Sequence, residues 1–185
     1  MTSPAPSDAG ALAATVRDAV EGDFDRIQEI YAYHVTHGLA SFEIEPPDRA
    51  EMVRRWRDVV DAGFPYIVAD VDGVLGGYAY ASKFRPRPAY RHTVEDSVYL
   101  APEFVRRGLG RQLLGALIER CTALGYRQMV AVIGDSGNAA SINTHLRSGF
   151  QQVGLLKSTG FKLGRWVDTV LMQRGLGDAD ATPPE

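Results

Sequence analysis

The chain has 185 residues, of which 45% are hydrophobic and 23% are charged, a size and composition that predict one domain with its own core. Twenty Lys and Arg against 23 Asp and Glu leave a net charge of −3, whereas nucleic-acid-binding proteins usually carry a basic excess. No apolar run reaches the length of a membrane span, and the N-terminus lacks a signal-peptide pattern. We therefore expect neither a nucleic-acid partner nor a membrane partner.

The single cysteine, Cys121, excludes an internal disulfide and a zinc site built from several cysteines. A reducing, cytoplasmic location is the corresponding expectation. His34 and His37 share one face of a predicted helix but lack further ligands, so we predict no metal site.

Both ends of the chain are rich in Pro, Ala, Ser, Gly and Asp, a composition typical of disordered termini. We predict a flexible tail over residues 1–13, one folded domain over 14–174, and a flexible acidic tail over 175–185. The tails contain four acidic residues and no Lys or Arg, so the predicted domain carries a net charge of +1.

Hydrophobic periodicity predicts strands and helices in alternation along the first half of the chain. In order, these are a strand over 14–19, a helix from about Asp23 to Gly38, a helix that Asp48 caps and Gly63 ends, and strands over 66–71 and 74–81. Asp72-Gly73 between the last two strands is a strong signal for a two-residue hairpin turn.

The second half begins with a loop over residues 82–92 that contains two prolines and several arginines. The elements predicted after it are a strand over 93–100, a helix from about Gly108 to Gly125, a strand over 128–134, a short helix over 138–148, and strands over 153–156 and 166–172. The order βααββ-β-αβαββ predicts a mixed α/β domain.

The most informative segment covers residues 97–111, where a strand enters a turn with two glycines and then a long amphipathic helix. The first N–H groups of a helix have no partner within it and together attract an anion. Gly108 and Gly110 would let the backbone approach a bulky diphosphate closely. Arg106, Arg107 and Arg111 add positive charge. The two glycines alone favour an ordinary helix entrance with solvated arginines.

At this turn the chain resembles the GCN5-related N-acetyltransferase (GNAT) superfamily, whose signature here is Gln/Arg-x-x-Gly-x-Gly/Ala. Gly108-Leu109-Gly110 match the signature, while Val105 stands where the family has Gln or Arg. The resemblance implies that acetyl-CoA pyrophosphate binds here, and that one side-chain contact is lost at Val105.

A second block also resembles the superfamily, with the pattern Asn-x-x-(Ala/Ser)-x-x-x-Tyr-x-x-x-Gly-Phe. It is represented by Asn138, Ser141, His145, Gly149 and Phe150, so that His145 stands at the usual Tyr position. Within the superfamily, the chain looks most like the phosphinothricin N-acetyltransferase group, which includes methionine sulfoximine acetyltransferases. The segments that carry this likeness are residues 90–99, 131–134 and 160–168.

The resemblance implies a GNAT fold, with a mixed, mostly antiparallel central sheet flanked by helices and a splayed strand pair at the acetyl-CoA site. It implies a homodimer as well. Two catalytic groups follow from it: Glu95 as the base for the substrate ammonium, and His145 as a second proton-transfer group. Asp96 would point to the opposite face of the strand from Glu95, so we expect only Glu95 to face the site.

Binding residues are implied in the same way. The expected acetyl-CoA contacts are the backbone of Val98, Tyr99 and Leu100, the turn residues Arg106, Arg107, Gly108, Leu109, Gly110 and Arg111, and the side chain of Asn138, which is also a candidate N-cap. Phe84, Arg85 and Pro86 are the expected substrate contacts. Phe42, Glu43 and Lys162 are weaker candidates.

The functional hypothesis is acetyl transfer from acetyl-CoA to the amine of a small amino-acid-like substrate, by direct attack in a ternary complex. Phosphinothricin and methionine sulfoximine or sulfone lead the candidates. One alternative is a GNAT enzyme for another small amine, and another is a non-catalytic acyl-CoA sensor, because likeness of fold does not decide the substrate. Residues 83–111, which contain most of the proposed site, carry seven basic and three acidic residues, a balance suited to acidic ligands.

Overall fold

The computed structural model describes residues 13–184. Within that part of the chain the strands are β1 (Thr15–Asp18), β2 (Tyr66–Val71), β3 (Val74–Lys83), β4 (Thr93–Leu100), β5 (Gln128–Gly134), β6 (Gln151–Lys162) and β7 (Arg165–Gly175). The α-helices are α1 (Phe24–His37), α2 (Arg49–Asp61), α3 (Leu109–Ala123) and α4 (Ala139–Arg147). None of these helices is long and apolar enough to cross a membrane.

The strands form one sheet in the order β1-β2-β3-β4-β5-β7-β6. All neighbouring strands are antiparallel except β4 and β5, which are parallel. This arrangement confirms the predicted mixed, mostly antiparallel sheet. The β4–β5 pairing ends at Asp96 and Ala131, although β4 continues to Leu100 and β5 to Gly134. The predicted splayed strand pair is therefore present at the centre of the sheet.

Helices cover both faces of this sheet. On one face, Tyr31 of α1 packs edge-on against Tyr99 of β4, with ring centroids 5.1 Å apart. On the other face, His145 of α4 contacts Asp96 of β4. Residues 96 and 99 point to opposite sides of the strand because side chains alternate along it. The core lies between the sheet and these helices, and its largest fully buried side chains include Tyr78.

Local sequence signals explain where several elements begin and end. The Asp48 carboxylate accepts a hydrogen bond of 2.8 Å from the Glu51 N–H, so it caps α2 as predicted. Asp72 and Gly73 both have positive φ, the geometry of a type I′ turn, and they join β2 to β3.

The last two strands are longer than the predicted ranges 153–156 and 166–172. Residues 157–162 also belong to β6, although their sequence does not alternate between apolar and polar residues. Ser158 has φ of 55° and the pairing register with β7 shifts between Leu156 and Gly160, so the strand continues through an irregularity that breaks the pattern.

The folded part also extends beyond the predicted boundary at residue 174. Leu176 is buried, and its N–H donates to the Arg127 carbonyl at 3.0 Å. Arg127 also donates to the hydroxyl of Thr182 at 2.6 Å. Buried Leu176 and the hydrogen bonds of Arg127 pack residues 176–182 against the domain. The average composition of residues 175–185 does not reveal these two contacts. Most of the N-terminal tail predicted over 1–13 lies outside the described residues.

Candidate active site

The separation of β4 from β5 produces a cleft in the sheet. Its walls include the Ser97–Tyr99 part of β4, the end of β5, and the beginning of α4. Residues of β4 beyond Asp96 still pair with β3, so only their β5 side is left without a neighbouring strand. Backbone N–H and C=O groups on that side can bind an extended ligand. Val98 and Tyr99, predicted to contact acetyl-CoA, line this cleft.

Leu100 is placed differently from the two residues before it. Its carbonyl oxygen accepts a hydrogen bond from His34 Nε2 at 2.8 Å. Burial lowers the pKa of His34, and the Leu100 carbonyl opposes that shift. His34 therefore fixes the end of β4 from the neighbouring helix α1. Within residues 13–184, His34 belongs to no group of three or more His, Cys, Asp or Glu side chains that could hold a metal ion.

The turn predicted to bind an anion, residues 106–111, follows β4 and is called the anion cradle below. Gly108, with φ of 81°, is the left-handed N-cap of α3, and no side chain caps that helix. Arg106 also has a positive φ of 61°, a conformation that is uncommon for residues other than glycine. The first turn of α3 contains no acidic residue. The uncapped N-terminus, with its positive dipole end, is thus suited to a phosphate group.

The residues around the cradle differ in their exposure to solvent. Leu109 and Gly110 are buried beneath it, whereas Arg106, Arg107 and Arg111 are exposed. A Cβ on Gly110 would lie 3.4 Å from the Leu100 side chain, so the helix start packs closely on the end of β4.

Asn138 is the N-cap of α4, and its side-chain oxygen accepts a hydrogen bond from the Ser141 N–H at 3.2 Å. The residue also lines the cleft. The two roles considered for Asn138, helix cap and contact to the cofactor arm, are therefore compatible.

His145 projects from α4 into the wall of the cleft, where both of its ring nitrogens have partners. Nε2 lies 3.0 Å from Oδ2 of Asp96, and Nδ1 donates to the Ser141 carbonyl at 2.8 Å. The expectation that Asp96 points away from the site is wrong, because Asp96 lines the cleft with His145. Alternation along β4 does place Glu95 and Asp96 on opposite faces, but it is Asp96 that lines the cleft.

Glu95 lies on the other face of β4, half-buried and near enough to the Tyr80 hydroxyl to affect its pKa. Burial raises the pKa of the Glu95 carboxyl, the negative charge of Asp96 adds to the increase, and the positive charge of Arg85 opposes it. A carboxylate with a raised pKa is a better proton acceptor near neutral pH than an exposed one.

A polar cluster covers this face next to Tyr99. The Tyr31 hydroxyl bonds to Ser41 Oγ at 3.0 Å and donates to Glu43 at 2.8 Å. Arg55 pairs with Glu43 at 2.6 Å. Burial raises the pKa of Tyr31 to about 12, so its hydroxyl stays protonated. Tyr31, Ser41 and Arg55 carry no recognisable motif, and only the fold brings them together.

The predicted substrate residues follow β3. Phe84 packs edge-on against Tyr90 with ring centroids 5.7 Å apart, and the guanidinium of exposed Arg85 lies 5.2 Å from the Phe84 ring centroid. Pro86 is exposed beside them. Arg85 is near enough to Glu95 to affect its pKa.

Phe42 and Lys162, two of the weaker candidates, instead hold the loop after α1. Lys162 is buried and donates to the Ser41 carbonyl, while Phe42 packs against Gly160, where a Cβ would collide with its ring. Gly134 likewise has no room for a Cβ beneath the carbonyl of Leu39.

Comparison with known proteins identifies the family. The sequence profile described as "Acetyltransferase (GNAT) family" matches residues 27–150. The chain belongs to the GNAT acetyltransferase family. This GNAT chain is 56% identical, over 94% of its length and 88% of the relative, to a phosphinothricin N-acetyltransferase of Alcaligenes faecalis. It is 41% identical, over 93% of its length and 100% of the relative, to an L-methionine sulfoximine/L-methionine sulfone acetyltransferase of Pseudomonas aeruginosa.

Solved structures agree with this assignment. A GNAT superfamily phosphinothricin acetyltransferase from Sinorhizobium meliloti, solved in complex with acetyl-CoA, superposes on this GNAT chain with a TM-score of 0.90. The two are 52% identical, and the match covers 93% of each chain. The predicted GNAT fold is confirmed, and the chain is an acetyltransferase.

Proposed function

We propose that the protein transfers acetyl from acetyl-CoA to the amine of a small amino-acid-like substrate of the phosphinothricin or methionine sulfoximine/sulfone type. The observation that carries the proposal is a half-buried carboxylate with a raised pKa, Glu95, beside a splayed strand pair that leads to an anion cradle. The names of the relatives from Alcaligenes and Pseudomonas support the substrate class.

The chain's own groups suit acetyl-CoA. The uncapped start of α3 at Gly108, with exposed Arg106, Arg107 and Arg111 around it, would hold the pyrophosphate. The cleft beside Val98 and Tyr99 would hold the pantetheine arm by hydrogen bonds to the backbone. Val105 contributes an exposed apolar side chain where the family has Gln or Arg, so pyrophosphate binding depends on the backbone and the neighbouring arginines.

Glu95 supplies the base. The substrate amine is an ammonium ion near neutral pH, and only its neutral form has the lone pair that attacks the thioester carbonyl. Because burial raises the pKa of Glu95, its carboxylate accepts the ammonium proton, directly or through a water molecule. Bond formation follows within a ternary complex, without a covalent enzyme intermediate. Cys121 is buried in the core and takes no part.

Arg85, Phe84 and Pro86 are the proposed substrate contacts. The positive charge of Arg85 lies close to Glu95, so it can hold an acidic group of the substrate while the amine faces the base. Lys162 is not part of this contact, because it is buried against the Ser41 carbonyl.

Other amino acids remain the second candidate substrates. The chain is 35% identical, over 89% of its length, to an Escherichia coli relative named L-amino acid N-acyltransferase. The same site would accept a different side chain without a change in the reaction.

A panel of amines tests the proposal. The purified protein is incubated with acetyl-CoA and phosphinothricin, methionine sulfoximine, methionine sulfone, ordinary amino acids or polyamines, and free thiol is measured. We expect thiol release with the first three and loss of most of it in the Glu95→Gln variant. Folded protein that binds CoA by calorimetry but releases no thiol with any amine would indicate a sensor and contradict the proposal.

The assembly is proposed to be a homodimer formed through the β6–β7 hairpin. Trp166 is 65% exposed and Phe161 is 58% exposed, and their rings pack together at a centroid distance of 5.3 Å. Val153, Leu155, Leu156 and Leu163 are also exposed on this hairpin. Exposed apolar side chains gathered on one hairpin are typical of an interface between protein chains. The single buried cysteine fits a cytoplasmic location.

A further inference from the structure

Asp168 on β7 lies opposite a bulge in β6. The pairing register of the two strands shifts between Leu156 and Gly160, which leaves residues 157–159 facing the single residue Asp168. Within this bulge Ser158 has φ of 55°, a conformation that is uncommon for residues other than glycine. Its N–H donates to Oδ1 of Asp168 at 2.9 Å. One oxygen of the carboxylate therefore fixes the backbone of the bulge.

The second oxygen holds the turn after β5. Ser136 Oγ donates to Oδ2 of Asp168 at 2.8 Å, and the Asp168 carbonyl accepts from the Asp135 N–H at 2.9 Å. Asp135 also has a positive φ, of 70°, and its carboxylate accepts from the Gly137 N–H at 3.1 Å. Such conformations persist where the surrounding contacts hold them. Here several of those contacts come from one residue of β7.

The turn after β5 leads into the wall of the cleft. It joins Gly134, the last residue of β5, to Asn138, the N-cap of α4, and both residues line the cleft. The Asn138 N–H donates to the Asp135 carbonyl at 2.9 Å, so the cap is anchored to the same turn. A displacement of the turn would therefore move the residue expected to contact the cofactor arm, together with the start of α4.

The bulge in β6 bears on another part of the same wall. Gly160 and Lys162, which follow the bulge, both contact the loop after α1. That loop contributes Ala40 to the wall of the cleft. The bulge sets the register in which Gly160 and Lys162 pair with β7. The contact of Asp168 with the bulge therefore affects the position of this loop.

The Asp168 carboxyl is ionised near neutral pH, so both of its oxygens accept hydrogen bonds. The bonds from the Ser158 N–H and the Ser136 hydroxyl lower its pKa below the ordinary value of 3.8, and the charge of Lys157 adds to the decrease, while desolvation opposes it. Asparagine would keep an oxygen for the N–H and would donate from its amide to the hydroxyl, whereas alanine would lose both contacts.

We propose that Asp168 is a positioning residue that sets both parts of the acetyl-CoA cleft wall: Oδ2 fixes the turn that leads to Asn138, and Oδ1 fixes the bulge behind the loop after α1. This inference rests on the proposed acetyl transfer. The contact through Oδ2 supports the affinity for acetyl-CoA, and the contact through Oδ1 supports the fit of the amine. Asp168 itself transfers no proton. It is the last residue of segment 160–168, one of the segments that carry the likeness to the phosphinothricin group.

Calorimetry with acetyl-CoA tests the Oδ2 contact without turnover. We expect Asp168→Ala to raise the Kd about fivefold, the loss that corresponds to one net hydrogen bond. Ser136→Ala, an exposed change that leaves the carboxylate in place, should raise the Kd by a similar factor. Because both changes remove the same contact, the double variant should bind no more weakly than Asp168→Ala. Unchanged affinity in folded Asp168→Ala and Ser136→Ala would overturn the proposal.

Steady-state kinetics separate the two oxygens. Asp168→Ala should raise the KM for the amine as well as that for acetyl-CoA, whereas Ser136→Ala should raise only that for acetyl-CoA, since the bulge keeps its contact. Asp168→Asn replaces both hydrogen bonds and should bring both constants to within about twofold of the wild type. In all three variants kcat at saturation should change little. A loss of kcat with both KM values unchanged would mean a general structural role, and the inference would be rejected.

The controls keep this inference separate from the proposed function. Asp61→Ala removes an exposed carboxylate at the end of α2 and should alter neither the Kd nor either KM. If Asp168→Asn binds acetyl-CoA as weakly as Asp168→Ala, hydrogen bonding by this side chain does not position the wall, and the inference fails. If no amine is acetylated at all, the proposed function fails instead, while the acetyl-CoA affinities of the variants still report on Asp168.

Discussion

Lys162 donates a hydrogen bond from Nζ to the main-chain carbonyl of Ser41, at 2.5 Å and across 121 residues of sequence. Lys162 is 3% exposed, and burial lowers the pKa of its ammonium while the charge of Glu43 opposes the shift. This contact ties the loop after α1 to the end of β6. The loop carries Glu43 and covers the end of β5, so its position shapes the substrate side of the cleft.

Replacing Lys162 by Met should loosen that loop. The Ser41 carbonyl would lose a buried donor, so we expect the free energy of unfolding to fall by about 1–2 kcal/mol. The KM for the amine should rise more than that for acetyl-CoA, because the cradle at α3 is not altered. Urea denaturation and steady-state kinetics measure the two effects. Lys157→Met, an exposed change on the same strand, is the matched control and should leave both unchanged.

Glu95→Gln should lower kcat by about 10²–10⁴-fold, because the amide cannot accept the ammonium proton. In the wild-type protein the carboxylate is lost as pH falls through its raised pKa, so the acid limb of the kcat profile should lie above the ordinary glutamate value of 4.5. CoA affinity measured by calorimetry should not change. Glu119→Gln, an exposed change on α3, is the control. A normal acid limb in Glu95→Gln would remove the base role.

Gly108 at the N-cap of α3 and Gly115 within the helix allow a paired test of the cradle. Gly108→Ala places a Cβ at φ of 81°, which should cost about 1 kcal/mol of stability and raise the KM for acetyl-CoA. Gly115→Ala lies within the same helix, where a Cβ meets nothing within 4 Å, and it should stabilise the protein by about 1 kcal/mol. Equal effects of the two changes would show that the conformation of Gly108 has no special role.

The Asp96–His145 pair should also make stability depend on pH. The pKa of His145 is raised on folding, so its contribution to stability is complete below the ordinary value of 6.5 and disappears as pH rises through the folded-state pKa. The stability advantage of the wild-type protein over Asp96→Asn should therefore shrink between pH 6 and pH 9. Urea midpoints measured across that range test this, with exposed Asp180→Asn as a control whose difference from wild type stays constant.

Exchanging Trp166 and Phe161 for serine should weaken the proposed homodimer, because both rings lie in its exposed apolar surface. Sedimentation velocity should give twice the chain mass for the wild-type protein and a concentration-dependent shift toward the single-chain mass for the double variant. Leu124→Ser, exposed at the end of α3, should sediment like the wild type. A wild-type protein that sediments as a single chain would contradict the dimer.

The sequence alone determined the order of elements, the turn at Asp72-Gly73 and the glycine turn that forms the cradle. These features depend on neighbouring residues, since periodicity, caps and positive φ act within a few positions of the chain. The alternation along β4 also placed Glu95 and Asp96 correctly on opposite faces.

Only the tertiary structure decided which side chains each face of β4 contacts. Asp96 pairs with a histidine 49 residues away, Lys162 bonds to a loop 121 residues away, and the cleft opens only where β4 and β5 stop pairing. No local pattern encodes such contacts, because they arise from the packing of helices on the sheet. The raised pKa of His145 follows from that packing, since the hydrogen bonds to Asp96 and the Ser141 carbonyl and the charge of Asp96 outweigh the lowering effect of burial.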